Sequence, residues 1–142
     1  MEESEIVTIT SRKLVPYILL FGFYLISYGH LSPGGGFQGG VVLGAGIILL
    51  WLSHGLSSAE ERLSSEEANF VELAMIFLFI SAGLIGVLTG RKFLENFLPL
   101  GKVGEVPSAG FILLLNLIIG LEIGAGISLI FYSLAKYREK RD

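Results

Sequence analysis

The sequence has no cysteine and four prolines, and only 16% of its 142 residues are charged. Without cysteine there can be no disulfide, thiolate zinc site or iron–sulfur ligation within this chain. The two histidines, His30 and His54, are far apart. There is no H-E-x-x-H, no Walker A run and no Ser/His/Asp arrangement, so neither an enzyme active site nor a metal-ligand set is read. A soluble domain of this size would carry about a quarter charged residues. No basic run suggests nucleic acid. The acidic start, Met1 to Glu5, lacks the basic region of a secretory signal, and no small-residue cleavage site follows the first apolar segment. That segment is expected to stay in the protein as a membrane helix.

What the chain does have is apolar residues, 52% of the total, gathered in long runs between short polar stretches. This is the pattern of a chain whose solvent is lipid. It predicts one domain, an all-α integral membrane protein with about four transmembrane helices near residues 14–31, 38–54, 68–90 and 109–135. Between the first two lies Ser32-Pro33-Gly34-Gly35-Gly36-Phe37, through which no helix can continue. Pro16 falls near the start of the first run, where its missing N–H is tolerated. Ser64 and Glu67 read as a capping box before the third helix, and Ser108 as the N-cap of the fourth. The first two runs are short for a core of about 30 Å. The glycine turn is therefore expected at interfacial depth or deeper, covered by protein.

Four crossings put both termini on one side. That side collects Arg12, Lys13, Arg62, Lys136, Arg138, Lys140 and Arg141, whereas Arg91, Lys92 and Lys102 lie opposite. The imbalance favours cytoplasmic termini in a cell membrane. Phe93, Leu94, Phe97 and Leu98 give the loop before the fourth helix an apolar face expected to lie along the membrane surface.

Small residues recur at helical spacing: Gly36, Gly40 and Gly44; Ala82, Gly86 and Gly90; and Asn116, Gly120, Gly124 and Ser128. Such stripes let backbones approach closely. They can pack helices within the chain or dock other subunits, and three in one small chain point to at least one facing a partner.

Glu122 lies near the middle of the fourth run. A charged side chain at the bilayer centre costs at least about 2.5 kcal/mol and marks a functional site by default. Its chemistry suits a proton relay or a cation site; the alternative is a carboxyl bonded to a backbone carbonyl across a helix interface. No Lys or Arg shares its depth in this chain. Asn116 is expected to hydrogen-bond between helices, with a cation-ligand role as the lesser reading. His30 borders the glycine turn and is read either as a proton shuttle, since imidazole titrates near neutral pH, or as a brace for the turn. Glu72 is close enough to the start of its helix to snorkel to the headgroups, and His54 reads as solvated. Gly34, Gly36 and Gly39 fit G-x-G-x-x-G, but a membrane helix precedes them where a dinucleotide site needs a strand.

The run Gly29-His30-Leu31-Ser32-Pro33-Gly34-Gly35-Gly36-Phe37-Gln38-Gly39-Gly40 resembles the signature of the B subunit (MnhB family) of Mrp-type multisubunit sodium/proton antiporters. Length and helix layout agree with that family. Its members also occur in archaeal membrane-bound hydrogenase and sulfane sulfur reductase complexes. The resemblance implies a small, non-catalytic subunit of a cation-translocating module, packed among other Mrp-type membrane subunits. It implies no cofactor beyond the transported sodium ion or proton. The motif maps onto His30, Pro33, Gly34, Gly35, Gly36, Phe37, Gln38, Gly39 and Gly40, and Glu122 lies where such subunits carry a polar or acidic segment. A structural subunit with no ion-carrying residue is the rival expectation.

Overall fold

The computed structural model describes residues 5–55 and 64–139. Among them the chain is all-helical: α1 (Glu5–Ser27), α2 (Gly36–His54), α3 (Ser65–Leu88) and α4 (Phe111–Glu139), with a 3₁₀ turn at Val106–Ala109. All four α-helices are long and apolar enough to cross a membrane. Arg62, Lys140 and Arg141, counted above in the charge balance, lie outside the described residues.

Helix α1 begins earlier than the apolar run and ends before the turn. Its first two turns carry Thr8, Arg12 and Lys13, which helix propensity accommodates but hydrocarbon does not. Pro16 is therefore well inside the helix rather than at its start. Its ring leaves the Arg12 carbonyl without an intrahelical donor. Between Lys13 and the turn, about 14 helical residues remain, a rise of about 21 Å. That is shorter than a core of about 30 Å, so the full 23-residue helix, with its polar first turns, is what reaches the length of a crossing.

The capping box at α3 is formed. Ser64 Oγ accepts from the Glu67 amide at 3.1 Å, and the Ser64 amide donates to the Glu67 carboxylate at 3.0 Å. The start of α4 differs from the sequence reading. Pro107 and Ser108 belong to the 3₁₀ turn, and Ser108 caps nothing. Instead Asn96, fifteen residues upstream, accepts from the Phe111 amide at 3.0 Å and from the Leu98 amide at 3.1 Å. Gly110, at φ 53°, makes this approach possible: a Cβ there would lie 2.9 Å from Asn96 Oδ1. A local pattern search finds only caps next to their helix, so it could not have found this one.

The helices pack in the order α1, α2, α4, α3, with α4 between α2 and α3 and only slight contact between α1 and α4. The α2–α4 contact is an interlock of two small-residue stripes. A Cβ on Gly36 would lie 2.6 Å from the Asn116 carbonyl oxygen, one on Gly40 2.6 Å from that of Gly120, and one on Gly44 3.2 Å from that of Gly124. Ser128, fully buried, extends the α4 stripe and donates its hydroxyl to the Gly124 carbonyl at 2.7 Å. The next face of α2 meets α1, where Gly39 packs on the Gly22 carbonyl and Gly46 on Leu19. At the far end Trp51, 1% exposed, stacks on Phe131 and meets the Tyr132 ring of α4 at a tilt.

The third stripe is used inside the chain at Gly86, whereas Gly90 meets nothing within 4 Å. Gly83 receives the Phe93 ring and Gly86 the Lys92 carbonyl, so the loop after α3 folds back onto its last turns. Phe97 packs on buried Phe111. The loop is thus tied to α3, while Phe93 and Leu98 keep part of their apolar surface outward. With no hydrophobic drive between helices in lipid, close backbone contact is taken up wherever it is available. What α1 and α3 leave outward is large apolar residues, including Tyr17, Phe21, Phe70 and Phe77.

Gly40→Ala is expected to destabilise the protein by about 1–3 kcal/mol, because the atom it would strike is a backbone carbonyl that cannot rotate away. Gly44→Ala, with more room, should cost less. Thermal unfolding of the detergent-solubilised protein followed by circular dichroism checks the order; equal midpoints for the two variants would contradict the interlock.

Candidate functional site

Helix α4 carries two different faces. The face toward α2 holds Asn116, Gly120, Gly124 and Ser128. Asn116 Oδ1 accepts from the Gly36 amide at 3.3 Å, which supplies the start of α2 with the cap that Gly35 has no side chain to give. Its amide nitrogen lies 3.1 Å from where a Cβ of Gly29 would be. Asn116 thus bridges both ends of the turn formed by residues 28–35. That turn also closes on itself, with the Gly35 amide donating to the Leu25 carbonyl at 3.1 Å and the Ser32 amide to that of Tyr28 at 2.9 Å. Since Asn116 is five residues into α4, the turn lies about 7.5 Å below the start of that helix. Non-helical backbone at such a depth needs protein cover, and Asn116 is part of it.

The motif residues divide accordingly. Gly36 and Gly40 face α4, and Gly39 faces α1. Pro33, Phe37 and Gln38 are exposed between them, and Gly34 and Gly35 complete the turn. Gly35, at φ 140°, lets the chain enter α2 from a conformation that L side chains rarely adopt. His30 lies on the turn with both ring nitrogens shielded from solvent and without a hydrogen-bond partner among the described residues. At least one of those nitrogens carries a proton, and a buried donor left unmade costs about 1–3 kcal/mol. His54, by contrast, engages Ser53 Oγ at 2.8 Å and the Leu50 carbonyl at 3.2 Å through Nδ1, so its ring is held by its own helix rather than merely solvated.

Glu122 is not brought to the turn. It follows Gly120 by two residues, about 200° around the helix, and so leaves the α2 interface. One turn further along its own side is Gly126, and there α3 supplies a second carboxylate: a Cβ on Gly126 would lie 3.1 Å from Glu72 Oε1. Glu72 is half-buried, with its carboxylate against the backbone of α4. Sequence reasoning passed over it because nothing in the spacing of residue 72 announces residue 126. Only the antiparallel packing of α3 on α4 joins them. Among the described residues, neither Glu72 nor Glu122 has a hydrogen bond or an ion pair, and no three His, Asp or Glu side chains converge on a metal-sized site.

These features define a class: a multi-pass membrane protein with a glycine-packed core and, among the described residues, two carboxylates on its apolar helices without an ion-pair partner. The chain belongs to the MnhB family. Residues 6–129 match the family described as a domain related to the MnhB subunit of Na+/H+ antiporter. It is 36% identical over 112 residues to a protein named antiporter subunit mnhB2 of Staphylococcus haemolyticus, covering 75% of this chain and 77% of that one. A protein of the same name from Staphylococcus aureus (strain Newman) is 38% identical over 100 residues, covering 68% of this chain and 69% of that one. A chain in the structure of the membrane-bound sulfane sulfur reductase, an archaeal respiratory membrane complex, superposes with a TM-score of 0.79 at 29% identity over 94% of this chain. This chain spans 59% of that one's length.

Asn116→Leu should free the Gly36 amide and weaken the turn by about 1–2 kcal/mol. Asn116→Asp, which keeps the acceptor, should be far milder. Amide hydrogen exchange over residues 35–38 reads this directly, and unchanged protection in Asn116→Leu would refute the cap.

Proposed function

We propose that this chain is a non-catalytic subunit of a cation/proton antiport module, in a cell membrane with both termini in the cytoplasm, and that Glu122 is its ion-carrying residue. The observation that carries this reading is a carboxylate in the middle of a membrane helix, turned away from the packed core and with no partner among the described residues. An intramembrane carboxylate that only braced the fold would spend its oxygens on the fold, as Asn116 does on Gly36. The transported species is a proton or a sodium ion, either of which a carboxylate can hold and release.

His30 takes part at the turn. Its two unengaged nitrogens fit a group that passes protons or meets a neighbouring subunit. Asn116 is a structural residue in this reading. Because the α2 and α4 stripes close on one another, neighbouring Mrp-type subunits meet the chain through the outer faces of α1 and α3. The parent assembly is a free antiporter or a respiratory complex of the sulfane sulfur reductase or hydrogenase type; the structural likeness to a chain of the former supports that placing. The rival is a purely structural subunit, favoured by how completely the α2–α4 interlock is satisfied within the chain.

Glu122→Gln separates the two. In everted vesicles holding the assembled complex, it should abolish most sodium/proton exchange, a loss of tenfold or more for a relay carboxylate (about 1.4 kcal/mol in the barrier). Normal exchange from a normally assembled complex would leave the structural role standing.

A further inference from the structure

Helices α3 and α4 are parted toward the end that carries the start of α3, leaving an open groove of about 670 Å³. Its walls include Ser65, Glu66, Asn69 and Glu72 on α3 and Gly126 and Ser133 on α4. Ser65, Asn69 and Glu72 are spaced i, i+4 and i+7, so they line one side of α3 from its first turn inward. On α4, Gly126 and Ser133 share a side with Glu122, which sits one turn beyond the inner end of the groove. Rising 1.5 Å per residue, Glu72 is about 10 Å below the start of α3, and Glu122 is about 6 Å deeper, near the middle of a core of about 30 Å. The groove thus runs from a polar helix start to Glu72 and Gly126, one turn short of the carboxylate at mid-depth.

We propose that this groove is a water-filled inlet through which cations reach Glu122 from the membrane face bearing the start of α3. The inference rests on Glu122 being the ion-carrying residue. The lining has the right chemistry for it. Glu66 and Glu72 contribute two carboxylates beside the apolar Leu129, Ile130 and Leu134, and among the described residues no Lys or Arg lines the walls. Lys136 lies toward the outer end of α4 and donates to the Tyr132 hydroxyl at 2.9 Å. Acidic walls in a low-dielectric setting concentrate cations and repel anions. At the inner end the Glu72 carboxylate lies against Gly126, a seat that any side chain in place of the glycine would press on. Asn69 supplies a neutral polar step between Glu66 and Glu72, so a hydrated ion need not cross bare hydrocarbon. A Glu72 that merely snorkelled would turn along its own helix toward the headgroups rather than onto the backbone of α4.

The sequence has no cysteine, so a single one reports cleanly on its position. In the assembled complex in native membranes, Glu72→Cys and Leu73→Cys are exposed to a membrane-impermeant, cationic methanethiosulfonate, and modification of this chain is read by mass. Leu73 is at the same depth, on the outward side of α3, and 58% exposed. Glu72→Cys should be modified and Leu73→Cys should not. Asn69→Cys and Phe70→Cys repeat the comparison one turn nearer the surface, leaving Glu72 in place. At Asn69→Cys the cationic reagent should outpace an anionic one by about tenfold or more. Equal modification of groove and outward positions, silence at both groove positions, or a faster anionic reagent would overturn the inlet. Labelling and exchange fail separately. A groove that labels as expected while Glu122→Gln exchanges normally tells against Glu122, and a silent groove with exchange lost in Glu122→Gln tells against the inlet alone.

Discussion

Helices in lipid gain nothing from hiding apolar surface from one another, since the solvent they would hide from is itself apolar. What holds α2 to α4 is contact between backbones, and it exists only because Gly36, Gly40 and Gly44 have no Cβ to place against the carbonyls of Asn116, Gly120 and Gly124. Approach this close brings Cα–H groups onto carbonyl oxygens and multiplies weak dispersion contacts along three turns. The rest of the structure hangs on that seam. It brings Asn116 to the start of α2, sets Trp51 against Phe131 and Tyr132 at the other end, and lets Ile26 of α1 reach Gly120. Loosening it by the width of a methyl group would disturb the cap, the turn and the seat of α1 together.

The same seam decides where the chemistry lies. Because one side of α4 is committed to α2, its polar atoms there are spent on the fold: Asn116 on the Gly36 amide and Ser128 on the Gly124 carbonyl. The opposite side is packed less tightly, against a single helix. It is there that Glu122 stands and that Glu72 enters from α3. The less extensive α3–α4 contact leaves both carboxylates without a hydrogen bond among the described residues, beside the close α2–α4 seam.

Much of this was legible in the chain. The apolar runs gave four membrane helices, the Ser64–Glu67 spacing gave a capping box, and the Gly29–Gly40 run gave the family. Glu122 stood out because its depth along one helix can be counted. Other features were not legible, and each for the same reason. Asn96 caps a helix fifteen residues away, Asn116 caps one eighty residues upstream, and Glu72 meets Gly126 across two helices. In each case the partner is chosen by packing rather than by spacing. The small-residue stripes were visible as stripes, but which surface each would meet was not.

The sequence by itself therefore determined the solvent, the number of crossings, the kin of the chain and the presence of a carboxylate at mid-membrane, because hydropathy and helical rise act residue by residue. Tertiary structure alone decided that the α2 and α4 glycine stripes close on one another, that the end of the glycine turn is held by Asn116, and that Glu72 and Glu122 share a side of the bundle. Those outcomes depend on which helix lies beside which. With no hydrophobic force between helices to be read from composition, that choice falls to the fit of one backbone against another, which a linear pattern does not contain.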